Sequence, residues 1–481
     1  MDEIDYGNKW RILAAVTVGL FLGAIDGSIV NIALPTLVRE FHTTFPTIQW
    51  VVLAFLLGMT TLMLSVGRLA DMIGKKRIFT AGLALFTTAS ALCGLSPSVY
   101  ALIAFRLLQS VGAAMVVALG IAIVTETWPP EERGMAIGVA GGAVSLGIVV
   151  GPTLGGLLIA TLGWRAIFYV NVPLGAIAIL MVLRYVPDLR PTRSGETFDY
   201  LGALVIGGGL LALSLALTVG QNLGFGDARI LTLLGLALVA GIAFALIEQR
   251  AQHPMLDFSL FHVPQFSLNL LTGLLTFVAI SGVIFLVPFY LELVLQLPIA
   301  QIGLLMAIVP VVLAALGPVA GSLSDRFGTR PVSVVGLGLL IIGYLASSTV
   351  TANTTPFGFV LRMLPVGMGM GTFQSPNNSA IMGSASRSRL GVASGTLSMT
   401  RTLGQTTGVA VLGAVFASRL DHYAATHVDI AAASATALVS ALKDQFHVAA
   451  ALILFGLAVA LLTWRYERRR AAATARLQMP S

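Results

Sequence analysis

Apolar residues in this chain do not alternate with polar ones, nor do they form a one-sided helical stripe. They run in stretches of about 20, broken by short clusters of charge, glycine and proline. A helix needs about 20 mainly apolar residues to cross the hydrocarbon core of a bilayer. On that measure the pattern predicts fourteen membrane-spanning helices. The first six fall near 12–34, 48–69, 78–96, 101–124, 135–160 and 165–186. Two more fall near 200–219 and 230–247, and the last six near 266–291, 300–322, 331–350, 357–382, 389–418 and 446–464. Fourteen such spans consume about 280 residues. The rest of the 481 serve loops and ends, which leaves no room for a soluble catalytic domain. An all-α integral membrane protein that is not an enzyme is the expectation.

Composition supports that reading. The chain is 57% hydrophobic and 10% charged, with a mean hydropathy of +0.91. A soluble domain carries roughly 25% charged residues to cover its surface, so lipid is the solvent here. The net charge of +7 does not point to nucleic acid. The basic residues sit in short pieces between apolar runs rather than on one face. Cys93 is the single cysteine, so no intramolecular disulfide forms. The six histidines are scattered without metal-ligand spacing, and neither metal nor cofactor is expected. No cleavable signal pattern precedes the first span.

Lys and Arg concentrate in cytoplasmic loops of membrane proteins, which orients the chain. With the N-terminus inside, 20 of the 28 Lys and Arg fall in cytoplasmic segments. Five fall outside (Arg39, Arg165, Arg229, Arg419 and Lys443), and three lie within spans (Arg106, Arg362 and Arg401). Fourteen spans with both termini cytoplasmic fit that bias. The basic cluster Arg465–Arg470 then suits an anionic inner leaflet, at about 1 kcal/mol per basic residue.

An internal repeat fixes the architecture. Gly67-Arg-Leu-Ala-Asp71-Met-Ile-Gly74-Lys-Lys-Arg77 returns as Gly321-Ser-Leu-Ser-Asp325-Arg-Phe-Gly328-Thr-Arg330, at an offset of 254. Arg106 near the start of span 4 likewise finds Arg362 near the start of span 12. The reading is two parallel six-helix bundles with two helices inserted: 1–190, 191–255 and 256–481. Halves related in this way place a substrate site between them near the midplane. In each copy the first glycine permits close helix approach and the second permits a tight turn with positive φ. The aspartate is free to cap a helix or pair with a basic neighbour.

Some residues carry chemistry at this depth. Asp26 is a carboxylate within span 1. Such a group costs several kcal/mol unless compensated and is a functional candidate by default. Removal from water disfavours its charged form, so a change in water access can load or release a proton. Arg106 either faces the bundle interior with a partner or snorkels to the outer interface. Glu292 ends span 9 and either lines the cavity or sits at the headgroups. Arg401, deep in span 13, is read as a cavity or gate contact. Asn377 and Asn378 are polar breaks in span 12 that line the path. In span 5, Gly147, Gly151, Gly155 and Gly156 offer a smooth packing face, and Pro152 removes one backbone bond.

Taken together, these motifs resemble the major facilitator superfamily, and within it the fourteen-helix drug/proton antiporter branch, over essentially the whole chain. The residues that carry the resemblance are the Gly67–Arg77 loop, Arg106-Leu-Leu-Gln109-Ser-Val-Gly112, Gly147-Ile-Val-Val-Gly151-Pro152-Thr-Leu-Gly155-Gly156, Asp26-Gly-Ser-Ile-Val-Asn31-Ile-Ala-Leu-Pro35 and Trp164-Arg165-Ala-Ile-Phe-Tyr-Val-Asn171-Val-Pro173. The resemblance implies proton handling by Asp26 and Arg106, with Asn31 and Gln109 toward the substrate. It also implies export rather than import, carried by the span 5 motif. The expected partners are an amphipathic small-molecule substrate, protons and the lipid bilayer, with the proton gradient as energy source and a monomer in a bacterial-type inner membrane. An exporter of one endogenous metabolite, lipid precursor or antibiotic remains the alternative, as does a non-transporting receptor or scaffold.

Overall fold

The computed structural model describes residues 8–129, 132–188, 200–250, 258–384, 390–424, 430 and 432–477. Among them the chain is helical from end to end. The first bundle comprises α1 (Lys9–Glu40), α2 (Phe45–Ile73), α3 (Lys75–Leu95), α4 (Val99–Thr127), α5 (Arg133–Leu162), α6 (Ala166–Tyr169) and α7 (Asn171–Tyr185). The inserted pair is α8 (Tyr200–Leu223) and α9 (Ala228–Arg250). The second bundle comprises α10 (Pro264–Phe289), α11 (Ile299–Met306), α12 (Ile308–Phe327), α13 (Thr329–Ser347), α14 (Pro356–Gly383), α15 (Leu390–Ala424) and α16 (Ala435–Leu477).

These segments make fourteen traverses, because two of the expected spans are broken. Span 6 is interrupted at Val170, between α6 and α7. Pro173 has no N–H to return to the Tyr169 carbonyl. Span 10 is interrupted at Ala307, between α11 and α12, where Pro310 has the same effect on Met306. Span 9 ends in a π-helical turn, Tyr290–Val294, just after Pro288. Eleven traverses are long and apolar enough to cross a membrane on length and composition alone. The other three are α8, which has a shorter apolar stretch at Leu204–Gly220, and the polar α14 and α15. The Ala- and Ser-rich segment 419–443 is partly helical, since α15 runs to Ala424 and α16 starts at Ala435.

The repeat is visible in the backbone. Gly74 (φ 113°) and Gly328 (φ 88°) both terminate their helices in a conformation that a Cβ disfavours. Their N–H groups close on Ala70 and Ser324 respectively, at 2.8 and 2.9 Å, again 254 residues apart. Lys75 then pairs with Glu126 on α4, and Arg330 donates to Asn269 on α10. Arg77 and Asp325 are exposed, while Gly321 faces Ser375 on α14. Gly67 and Asp71 sit in the last turns of α2. Their side chains lie outside the described set.

The two bundles meet at the end that carries the α1–α2 turn. Phe45 packs against Phe285, Phe289 and Phe416 of the opposite half, with ring centroids 5.4 to 5.7 Å apart. Gln49 donates to the Val409 carbonyl at 2.6 Å, and Thr60 meets Thr406 at 3.4 Å. Toward the other end the halves part. A Cβ on Gly138, Gly141 or Gly142 of α5, or on Gly317 of α12, would meet nothing within 4 Å. The inserted pair stands at the periphery, where α8 packs on α2 and α15.

The caps make a stability prediction. Gly74→Ala and Gly328→Ala each force a side chain into positive φ and are expected to cost about 1 kcal/mol or more. Gly138→Ala, on an open helical surface, is expected to be neutral or slightly stabilising. Thermal unfolding of the detergent-solubilised protein measures all three.

Candidate functional site: a buried ion pair and a gate between the halves

Asp26 lies in the interior of the first bundle, fully buried, as do Gln109, Ser90 and Asn171; Arg106 is 1% exposed. Arg106 projects from α4 into the bundle and does not snorkel. Its Nη1 donates to Asp26 Oδ2 at 2.6 Å and to Gln109 Oε1 at 2.6 Å. Its Nε donates to the Val51 carbonyl at 3.2 Å, and its guanidinium lies 4.0 Å from the centre of the Phe55 ring. Asp26 Oδ1 accepts from Gln109 Nε2 and from Asn171 Nδ2, both at 2.9 Å. Gln109 Nε2 also donates to Ser90 Oγ at 2.7 Å. Five helices (α1, α2, α3, α4 and α7) therefore converge on one carboxylate.

Local sequence explains the convergence. Arg106 and Gln109 are three apart on α4 and share a face. The break at Val170 lets Asn171 start α7 with its amide turned into the bundle. Asn171 Oδ1 is buried without a partner among the described residues. Asn171 and Ser90 escaped the list of candidate site residues. Asn171 stood within a recognised motif, and its position in an apolar run beside a proline was the available signal. Ser90 offered none, since a lone serine in an apolar helix is ordinary.

The expected cavity residues scatter. Gln109 belongs to the ion-pair network rather than to the cavity, because Arg106 and Asp26 claim its amide. Asn31 is half-buried and bonds the Gly27 carbonyl at 3.3 Å, next to a glycine facing open space. Asn377 is buried with its Nδ2 turned toward Gly273 of α10, while Asn378 is half-buried. Arg401 lies over the Phe277 ring, 5.4 Å from its centre. Glu292 neither lines the cavity nor sits free at the headgroups. It pairs with Arg39 at the end of α1, so the π-helical turn holds an ion pair across the two halves.

The glycines of α5 divide between two partners. Gly147, Gly151 and Gly155, spaced four apart, face α1. A Cβ on Gly147 would stand 2.9 Å from the Phe21 carbonyl, one on Gly151 would overlap Ser28, and one on Gly155 would lie 2.6 Å from Ile29. Gly156 faces the opposite bundle, where a Cβ would stand 2.6 Å from the Ile299 carbonyl and 3.1 Å from Gly303 Cα. A Cβ on Gly303 would in turn stand 2.5 Å from the Pro152 carbonyl. The helix carrying Asp26 is thus packed on the helix that closes the interface.

Comparison with known proteins bears on the family and the fold. The chain matches the family model described as Major Facilitator Superfamily over residues 16–409 and 269–477. It is 31% identical to the riboflavin transporter RibZ of Clostridioides difficile over 458 residues, covering 95% of this chain and 98% of the relative. It is 34% identical to the multidrug resistance protein Stp of Mycobacterium tuberculosis, covering 87% of this chain and 78% of the relative. It is 33% identical to the tetracenomycin C resistance and export protein of Streptomyces glaucescens, covering 86% and 77%. Among solved structures it resembles a bacterial homologue of the human lysosomal transporter Spinster in an inward-facing, unoccupied conformation. That match has a TM-score of 0.68 and 17% identity over 95% of this chain and 97% of the other, a likeness of fold.

Two predictions follow from the site. Arg106→Ala strands a buried carboxylate and is expected to destabilise the protein by about 3 to 5 kcal/mol. Adding Asp26→Asn recovers a large part of that loss, which thermal unfolding of the single and double variants measures. Glu292→Gln removes one contact that seals the halves. With Cys93→Ser and a reporter Ala414→Cys, labelling by a membrane-impermeant maleimide is expected to rise several-fold over the Glu292 parent. Unchanged labelling means that the ion pair does not hold that end shut.

Proposed function

Because the chain belongs to the major facilitator superfamily, we propose that this membrane transporter exports drug-like or amphipathic small molecules in exchange for protons by alternating access. The observation that carries the reading is the fully buried Asp26–Arg106 pair, held on a helix that α5 couples to the interface between the halves. Relatives named as multidrug resistance and antibiotic export proteins support the substrate class. The bias of basic residues supports both termini being cytoplasmic, which makes the sealed end the outer one.

In that orientation this conformation is closed outside, with Asp26 ionised and paired. It is the proton-released state, ready for substrate from the cytoplasm. Protonation of Asp26 from the outer side neutralises the carboxylate and cancels its attraction for Arg106. Arg106 keeps the Gln109 and Val51 oxygens as acceptors. The Asn171 amide serves both states: its Nδ2 donates to the carboxylate, and after a flip its unpartnered Oδ1 accepts from the carboxylic acid. A proton shifts the conformational equilibrium only through a difference in affinity between the states, and the three-partner shell around Asp26 supplies that difference. α5 transmits it, since α1 cannot tilt without moving the Gly156–Gly303 contact. The site residues in this reading are Asp26 and Arg106 for the proton, with Asn31, Asn377, Asn378 and Arg401 toward the substrate.

A second reading is favoured by the riboflavin transporter among the relatives: one dedicated metabolite in place of a broad panel. Proton movement in inverted membrane vesicles separates the two. An imposed pH gradient is expected to dissipate when several unrelated lipophilic dyes and antibiotics are added, and Asp26→Asn abolishes the response. A response to a single compound supports the dedicated carrier, and dissipation that survives in Asp26→Asn rejects Asp26 as the proton carrier. Separately, Gly151→Leu drives a side chain into Ser28 and is expected to lower export at least fivefold with normal amounts of protein in the membrane. Normal export in that variant removes α5 from the mechanism.

A further inference from the structure

Among the described residues, the ionic groups deep in the two bundles are paired, with one exception. Asp26 is neutralised by Arg106, and Glu292 by Arg39. Arg362, the repeat's counterpart of Arg106, stays at the end of α14, where it bonds Thr349 and the Gly358 carbonyl. Arg401 is the exception. It lies eleven residues into α15, about 16 Å along the helix from Leu390. Among the described residues no hydrogen bond or ion pair reaches its guanidinium, and its one recorded contact is the Phe277 ring.

An arginine in a protein does not lose its proton, and a lone charge at that depth is costly. The guanidinium therefore needs either water or an anion. Its surroundings say which molecules bring the anion. Phe277 stands on the face of α10 that lies between its contacts with α14 and α15: Gly273 faces Asn377 of α14, and Val278 and Ser281 face Gly408 and Gln405 of α15. One turn beyond Phe277, about 4.5 Å along α10, an apolar cavity opens. It is lined by Ile280, Ile284, Met306, Val309, Phe359 and Met363, among others. Its enclosed space is about 20 Å³, room for a methyl-sized group in this conformation. An apolar wall thus opens one turn along α10 from the ring on which Arg401 lies.

We propose that Arg401 is the recognition group for amphipathic organic anions. A carboxylate, phenolate or sulfonate of the substrate lies against the guanidinium over Phe277, and the apolar body lies toward the Ile280–Met363 wall. The inference rests on the export reading, and it narrows the substrate class within it. The guanidinium fork offers two parallel N–H donors to a planar oxyanion, which an ammonium cannot do. Asn377, one helical turn away across Gly273, is placed to take a further acceptor of the bound molecule.

Equilibrium binding to purified protein tests this without requiring transport. Fluorescein, with its carboxylate and phenolate free, and rhodamine 123, a cation whose carboxylate is esterified, share a xanthene body, so fluorescence polarisation gives an anion-to-cation affinity ratio. Wild type is expected to favour fluorescein. Arg401→Gln is expected to lower the ratio at least tenfold, and Arg401→Lys to restore part of it. A wild-type protein with no preference for the anion overturns the proposal. So does an Arg401→Gln variant with the wild-type ratio. Arg401→Gln that elutes as wild type in size exclusion yet weakens both dyes equally makes Arg401 a structural residue and overturns it too. If anion binding behaves as expected and vesicles move no protons in response to either dye, the export reading fails while the binding site stands.

Discussion

A carboxylate sealed inside a membrane protein governs this structure. Leaving Asp26 charged in an apolar bundle is tolerable only with a cation in contact and donors on its free lone pairs. Both conditions are met, by Arg106 on one oxygen and by Gln109 and Asn171 on the other. Two of these partners come from α4 and one from α7, so the requirement of one group dictates how helices are arranged around it. The break at Val170 is part of that arrangement, because a continuous span 6 would not start a helix at Asn171. A proton on Asp26 removes the reason for the whole shell at once. In the proposed function, that makes the site a switch rather than a strut.

The helix carrying Asp26 is packed on the interface helix by small residues. Three glycines of α5 admit α1 to backbone contact, and a fourth, on the adjacent face, admits α11 of the other bundle. With side chains on these positions the helices would stand apart and could shift independently. Without them a change at Asp26 is felt at Gly156 through rigid contact. The two halves share a fold but not this chemistry. Arg106 is swallowed by its bundle, whereas Arg362 remains near the end of its helix with neutral acceptors. Among the described residues the deep cation of the C-terminal bundle is Arg401, on a different helix.

Much of this was legible in the sequence because membranes impose blunt rules. Helix number, the repeat at 254 and the positive-φ glycines at 74 and 328 each follow from a local constraint: length, spacing or the absence of a Cβ. The α5 glycines were legible as a packing face, though not the division between α1 and α11. What sequence did not give was partnership. Gln109 reads as a polar residue in a helix, equally suited to a cavity or to an ion pair. Only the three-dimensional arrangement shows that Arg106 and Asp26 occupy it. Glu292 read as a cavity or headgroup residue because Arg39 lies over 250 positions away. The breaks at Val170 and Ala307 lie in apolar runs, where a proline bends or breaks a helix according to what its neighbours provide. Asn171 and Ser90 acquired their roles in the same way.

The central claim is that the charge on Asp26 sets which end of the molecule is open. Spin labels at Thr44→Cys and Ala352→Cys, one on each half at the sealed end, with Cys93→Ser, report that distance by pulsed electron resonance. Over a pH series the wild-type background is expected to shift from a short to a longer distance as acid neutralises the carboxylate. In the Asp26→Asn background the distribution is expected to resemble the acid form and to ignore pH. An Asp26→Asn protein that titrates as the wild type does would contradict the account, because the proton that matters would then bind elsewhere.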